Sequence, residues 1–286
     1  MNEKELNALI SLLEDPDQEV FTSVRSKLVE LGIDVLPELE NAWESNFDSL
    51  VQDRAEQIIH DIHFKNTVEG LNNWIKKTDK NLLEAWFIIS KYQYPDLDEA
   101  YYRNKIYNLS QQINERISGL STDLDKISAF NKVFFIENEF RGNIRNFHSA
   151  DNSFINRVLD SRKGNPLSLC MLYILISQQI GLPVCGVNMP KHFILAYEEE
   201  NEINGDPIKF YINPFSKGSI LNRQDLEVFL KREKLKEETK YFTPCGNTAI
   251  IKRLINNLLH SFTFQAKKEK AQEMITLIRL FKSNNF

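Results

Sequence analysis

A thiol, an imidazole and a carboxamide stand in order in the middle of this chain, at Cys170, His192 and Asn213. A cysteine attacks a carbonyl carbon as its thiolate, an imidazole within hydrogen-bond reach takes the proton, and a polar third group orients the imidazole. The order here is suggestive: a thiol on a helix, a histidine at a strand start and a polar orienter at the end of the next strand. The stretch RKGNPLSLCMLYILISQQIGLP, from Arg162 to Pro183, supplies the helix. Asn165 is a good N-cap, and Pro166 fits the first helical position, where its missing N–H costs nothing. Leu169, Leu172, Leu175 and Ile176 give an apolar face, and Gly181 ends it.

After Gly181 the period changes. PVCGVNM, HFILAYEE and IKFYINPF are short, β-branched or aromatic segments, with turn residues at Asn204-Gly205-Asp206-Pro207. They read as a small antiparallel sheet, one strand beginning at His192 and the next ending at Asn213-Pro214. The thiol itself is badly placed for attack. Activation wants the first helical turn, where the dipole and free N–H groups lower a thiol pKa from about 8.5. Cys170 lies in the second turn among Leu169, Met171 and Leu172, and a buried apolar thiol is inert. His192 reads either as a base or ligand contact in a cleft, or as a structural histidine tying the sheet to Asn213.

The remaining candidates are weaker. Cys185 and Cys245 read as structural, and three widely spaced cysteines suit neither a disulfide framework nor a zinc site. His60 and His63 stand at i, i+3 without a third ligand, and His148 reads as a solvated loop histidine, so no metal site is expected. No cofactor motif is found. Net charge is −5, and basic runs such as Lys267-Lys268-Glu269-Lys270 are interrupted by acid, so no nucleic-acid partner is expected. No apolar run approaches the roughly 20 residues of a membrane span. The first residues, MNEKELNALI, lack a signal-peptide pattern, and a cytoplasmic protein with reduced thiols is the expectation.

Only 10 Gly and 9 Pro in 286 residues leave long stretches free of breakers, so most of the chain should be helical. LISLLEDPDQEVFTSVRSKLVELGIDVLPELENAWE reads as two amphipathic helices broken at Asp15-Pro16-Asp17, and SLVQDRAEQIIHDI repeats the flavour of the second. This resembles a HEAT-type unit. YPDLDEAYYRNKIYNLSQQINERI opens at Pro95-Asp96, and Thr122 with Asp125 forms a capping-box-like start for STDLDKISAFNKVFFIENEF. Arg141-Gly142-Asn143 then breaks the chain, and Asp151 or Asn152 can cap a short helix. AIIKRLINNLLHSFTFQ and EKAQEMITLIRLF read as a terminal helical hairpin.

The run FRGNIRNFHSADNSFINRVLDSRKGNPLSLCMLYILISQQIGLPVCGVNMPKHFILAY, followed by FYINPF, resembles the transglutaminase-like superfamily. The nearest group is the bacterial branch whose core is followed by tetratricopeptide-type helices. The pieces that carry the likeness are Gly142-Asn143, Asn152-Ser153, Arg162-x-Gly164-x-Pro166-x-Ser168, Pro190-x-His192-Phe193 and Asn213-Pro214-Phe215. The resemblance implies a papain-like α+β core whose active members use Cys, His and Asp. It puts the base at His192 and the orienter, an Asp in active members, at Asn213. The nucleophile's place, two residues after Gly164, holds Pro166. Cys170 is on the same helical face, ~40° around and about 6 Å along the axis. Ser168, ~200° around from Pro166, points the other way.

The sequence therefore predicts an α+β, predominantly helical protein with helical extensions at both ends. Residues 1–78 form a HEAT-like helical region, 79–245 a transglutaminase-like core with a small antiparallel sheet, and 246–286 a helical hairpin. The leading expectation is a core that has lost cysteine catalysis and keeps its cleft for a peptide or protein ligand. Candidate binding residues are Arg141, Asn143, Asn152, Arg162, Asn165, Pro166, Ser168, Pro190 and Phe193. Of these, Arg141, Asn143 and Arg162 can bind backbone carbonyls or an acidic group on a ligand. The alternatives are a cysteine hydrolase or acyltransferase using Cys170, His192 and Asn213, and a helical-repeat scaffold. Oligomeric state is left open.

Overall fold

Asp17 and Pro37 punctuate the N-terminal third. Asp17 accepts a 2.7 Å hydrogen bond from the Glu19 N–H and caps a helix, and Pro37 stands at the start of another, where no N–H is needed. The computed structural model describes residues 3–203 and 206–283. They form two compact units, Met1–Trp74 with Lys91–Pro95, and Ile75–Ser90 with Asp96–Phe286.

The first unit holds α1 (Glu3–Ser11), α2 (Gln18–Leu31), α3 (Leu36–Ser45) and most of α4 (Ser49–Lys76). One helix more than expected arises because Gly32 and a single 3-10 turn separate α2 from α3. Leu13, Leu28, Leu39, Ala55 and Ile58 are fully buried in its core. Arg54 of α4 sits 4.6 Å from the Phe21 ring centre and donates to the Leu13 carbonyl at 2.9 Å and to that of Asp15. That closes the α1–α2 turn with two hydrogen bonds from one guanidinium nitrogen.

The second unit is α+β. Its helices are α5 (Leu82–Lys91), α6 (Glu99–Ile117), α7 (Asp123–Asn131), α8 (Ile155–Ser161), α9 (Pro166–Gln179), α10 (Arg223–Arg232), α11 (Asn247–Phe264) and α12 (Lys268–Ser283). α6 starts later than Pro95-Asp96, because Asp98 is the cap, accepting from the Tyr101 N–H at 3.1 Å. Thr122 caps α7 as expected, accepting from the Asp125 N–H at 3.1 Å. Asp151 and Asn152 do not cap α8; they lie in a 3-10 turn, Ala150–Ser153, and Phe154 takes the cap position.

Two ribbons complete the unit. Short parallel strands β1 (Arg141–Gly142) and β2 (Lys163–Gly164) pair just before α9. Strands β3 (Val184–Val187), β4 (Ile194–Ile203), β5 (Asp206–Asn213) and β6 (Ser219–Leu221) form an antiparallel sheet in that order. β4 begins at Ile194, two residues after His192, because the chain turns at Pro190 with Lys191 in the left-handed region (φ 61°). The turn expected at Asn204-Gly205 lies outside the described residues.

Alternation along the strands divides the sheet into two faces. On one, Val187, Ile194, Ala196 and Tyr211 pack with Leu226 and Leu230 of α10 and with Phe242. The other faces α9, which is buried all round from Leu167 to Ser177. An all-apolar helix in a core needs no polar stripe, and Met171 and Tyr173 are as buried as the expected leucine face. Tyr173 stacks on Phe130 at 3.8 Å and donates its hydroxyl to Asn131 Oδ1 at 3.1 Å. α11 packs against α9 and the 150–153 turn, and pairs with α12 as the predicted hairpin.

Candidate functional site

The start of α9 is tied down by the polar residues that make up the quoted motifs. Asn165 Oδ1 accepts from the Ser168 N–H at 2.9 Å, and Ser168 Oγ accepts from the Asn165 N–H at 3.0 Å, a reciprocal capping box. Asn165 Nδ2 donates to Ser153 Oγ at 3.0 Å. Asn143 donates its N–H to the Gly164 carbonyl at 2.9 Å and its Nδ2 to Asn152 Oδ1 at 2.8 Å. Asn152 Nδ2 in turn holds the carbonyls of Asn146 and Phe147. A Cβ on Gly142 would lie 2.4 Å from the Phe215 ring, so only glycine admits that ring. Asn143, Asn152, Asn165 and Ser168 thus spend their hydrogen-bonding capacity on one another, on Ser153 and on backbone. Arg141 and Arg162 are exposed, and Arg162 closes α8 in the left-handed region (φ 57°).

Cys170 points inward. It is fully buried, and its Sγ sits 3.5 Å from the Phe193 carbonyl oxygen. Burial pushes its pKa well above the ordinary thiol value. Phe193 lies on the same side of the sheet, its ring over Gly186 beside Ile174 of α9; a Cβ on Gly186 would meet that ring at 2.7 Å. Burial raises the other two thiols as well, Cys185 to about 12 and Cys245 to about 11. Cys185 donates to Glu198 Oε2 at 2.7 Å, which opposes ionisation further.

His192 is turned to the opposite face of the sheet. Its ring lies 5.5 Å from Phe229 of α10. His192 and Asn213 line one cavity of about 260 Å³ with Met189, Phe229 and Arg232. Both carry a buried atom with no hydrogen-bond partner among the described residues, Nδ1 of His192 and Oδ1 of Asn213, while Asn213 Nδ2 donates to Ser216 Oγ at 3.3 Å. Burial, then the positive charges of Arg253 and Arg232, lower the His192 pKa from its ordinary 6.5; Glu233 pulls it the other way. The structure therefore brings His192 and Asn213 together and keeps Cys170 apart from them.

Pro166 opens onto a second cavity, of about 510 Å³, shared with Asn165, Phe193 and Lys191. Its far wall is α11, through Arg253, Asn257, His260 and Phe264. Sequence reading did not single out these α11 residues. The signal was present: polar side chains at i, i+4 and i+7 on a helix otherwise apolar enough to be buried. Among the described residues, no group of three or more His, Cys, Asp or Glu is placed to hold a metal ion, and no helix is long and apolar enough to cross a membrane.

The UPF0162 protein of Xylella fastidiosa (strain 9a5c) is 24% identical over 188 residues, covering 62% of this chain and 63% of that protein. The UPF0162 protein of Vibrio cholerae is 31% identical over 131 residues, 45% of this chain and 46% of its own length. F-box only protein 21 of Mus musculus is 27% identical over 155 residues, 54% of this chain but 24% of that protein. The chain thus spans less than two thirds of the length of each of these relatives. No solved structure matches it. A protein-family profile described as the transglutaminase-like superfamily matches residues 100–256. That stretch is more than half of the chain and takes in α9, the four-stranded sheet and the start of α11; the chain belongs to the transglutaminase-like superfamily.

Proposed function

We propose that this protein is a non-catalytic member of the superfamily whose cleft binds a peptide or protein ligand. The observation that carries this reading is the separation of the chemical groups. The thiol is fully buried on the α9 side of the sheet, while His192 and Asn213 share a cavity on the α10 side. A buried thiol stays protonated, and an imidazole that cannot reach it cannot take its proton. The helices at the two ends serve as further docking faces in this reading, and three unpaired cysteines suit a reducing cytoplasm.

A cysteine hydrolase or acyltransferase using Cys170 as nucleophile, His192 as base and Asn213 as orienter is the competing reading. Iodoacetamide labelling of the native protein, across roughly pH 5 to 9 and read per cysteine by mass spectrometry, separates the two. Cys170 should react only after unfolding. Fast labelling with a midpoint well below about 8.5, abolished by His192→Ala, would transfer the case to the enzyme.

A further inference from the structure

The cavity in front of Pro166 has a charge opposite to that of the chain. The protein is acidic overall, with net charge −5. Yet the described residues lining this cavity include Arg253, Lys191, His148 and His260 and no Asp or Glu. Lys191 lies at the rim, and Glu233, 3.0 Å from its Nζ, offsets its charge. Arg253 has no such partner among the described residues. Its Nη1 donates to two neutral acceptors, Asn188 Oδ1 at 3.1 Å and the Met189 carbonyl at 3.3 Å. A guanidinium has five N–H donors, and Nε and Nη2 find no acceptor among the described residues. A half-buried cation with neutral partners alone is costly, and an incoming anion would relieve that cost. Leu167, Phe193 and Phe264, on which His148 stacks at 4.3 Å, supply an apolar part of the wall, and Asn165, Asn257, Ser261 and Thr263 add neutral polar groups.

We propose that this cavity binds a carboxylate of a peptide ligand, held by the free donors of Arg253, with an adjoining apolar side chain against Phe193 and Phe264. The proposal rests on the binding reading above and adds the ligand's chemistry. The carboxylate is either the peptide's C-terminus or an acidic side chain.

Isothermal titration of the full chain with N-acetylated tripeptides tests it. The probes are Ala-Ala-Phe as free acid, the same peptide as C-terminal amide, and Ala-Glu-Phe as C-terminal amide. At least one carboxylate-bearing probe should bind about tenfold or more tighter than the neutral amide, the size expected for charge-assisted hydrogen bonds. The one that does identifies the source of the carboxylate. Arg253→Gln should erase the preference. Because Arg253 also holds the 188–189 turn, Asn257→Glu provides a second variant. It puts a competing carboxylate on the same wall and should abolish the preference without touching that turn. Equal affinity for acid and neutral amide would overturn the proposal while leaving a peptide site. Binding by none of the three probes would overturn it as well. Failure of the non-catalytic reading shows separately, as fast alkylation of Cys170.

Discussion

Phe193 and His192 are neighbours in the chain, and they meet opposite surroundings. Phe193 and the Cys170 thiol lie on the α9 side of the sheet, where the thiol is fully enclosed and its polar contact among the described residues is a carbonyl at 3.5 Å, while Phe193 also borders the cavity in front of Pro166. His192 and Asn213 lie on the α10 side around an open cavity, each with a polar atom that nothing among the described residues satisfies. The same four strands thus separate a sealed thiol from two unsatisfied polar groups. The lesson is that residue identity and order do not make a catalytic set; a strand presents successive residues to opposite faces, and a shift of one position decides which face.

The largest expected effect is on thiol chemistry at two positions of α9. Cys170 should be alkylated only when the chain opens, which for ordinary stability happens to fewer than about one molecule in a thousand at any time. Pro166→Cys places a thiol at the first position of α9, on the open cavity that holds Arg253. There a helix N-terminus and a cation both favour the thiolate. The introduced thiol should label orders of magnitude faster than Cys170, with a midpoint below about 8.5. It should gain no acyl-transfer activity, because His192 faces the other side of the sheet. Equal labelling rates at the two positions would remove the contrast between them.

Stability comes next. Phe193→Ala empties the space between Gly186 and Ile174 and should cost about 3–5 kcal/mol in denaturant unfolding. Cys170→Ser exchanges a small apolar group for a buried hydroxyl whose acceptor, the Phe193 carbonyl, is contacted at 3.5 Å by the native sulfur, and should cost roughly 1–3 kcal/mol. A neutral result at both positions would show that the α9 side is looser than its burial implies.

Legibility in the sequence follows the same division. The start of α9 was readable to the residue, because Asn165 and Pro166 act locally: one accepts from the third N–H ahead of it, the other needs none. The sheet was readable from its β-branched segments and the hairpin from its periodicity. The family likeness placed the fold and pointed to His192, Asn213 and Pro166. Their mutual placement was not readable. The chain turns at Lys191, just before His192 and ahead of β4, and no local pattern tells which face the histidine then joins. Nor was Arg253 legible as part of a cavity, since it lies far along the chain from Pro166 and only tertiary packing brings α11 across α9.

The smallest effects belong to the α10 side. Asn213→Ala gives up one 3.3 Å hydrogen bond to Ser216 and removes a desolvated oxygen that had no partner, so the change should stay within about 1 kcal/mol. A larger loss would mean that Oδ1 is satisfied by something bound in the cavity. His192 adds a pH dependence whose sign is fixed by its surroundings. Burial and the charges of Arg253 and Arg232 hold its folded pKa below the 6.5 of an unfolded chain. Between those two values the unfolded chain binds the proton and the folded one does not, so stability should fall as pH drops below about 6.5. The loss levels off once the pH is under the folded pKa. His192→Gln deletes the titrating group, and its stability should decline less steeply over the same window in parallel unfolding curves. If wild type and variant decline in parallel, His192 is not held neutral by its surroundings, and the α10 side is wetter than its unpartnered atoms suggest.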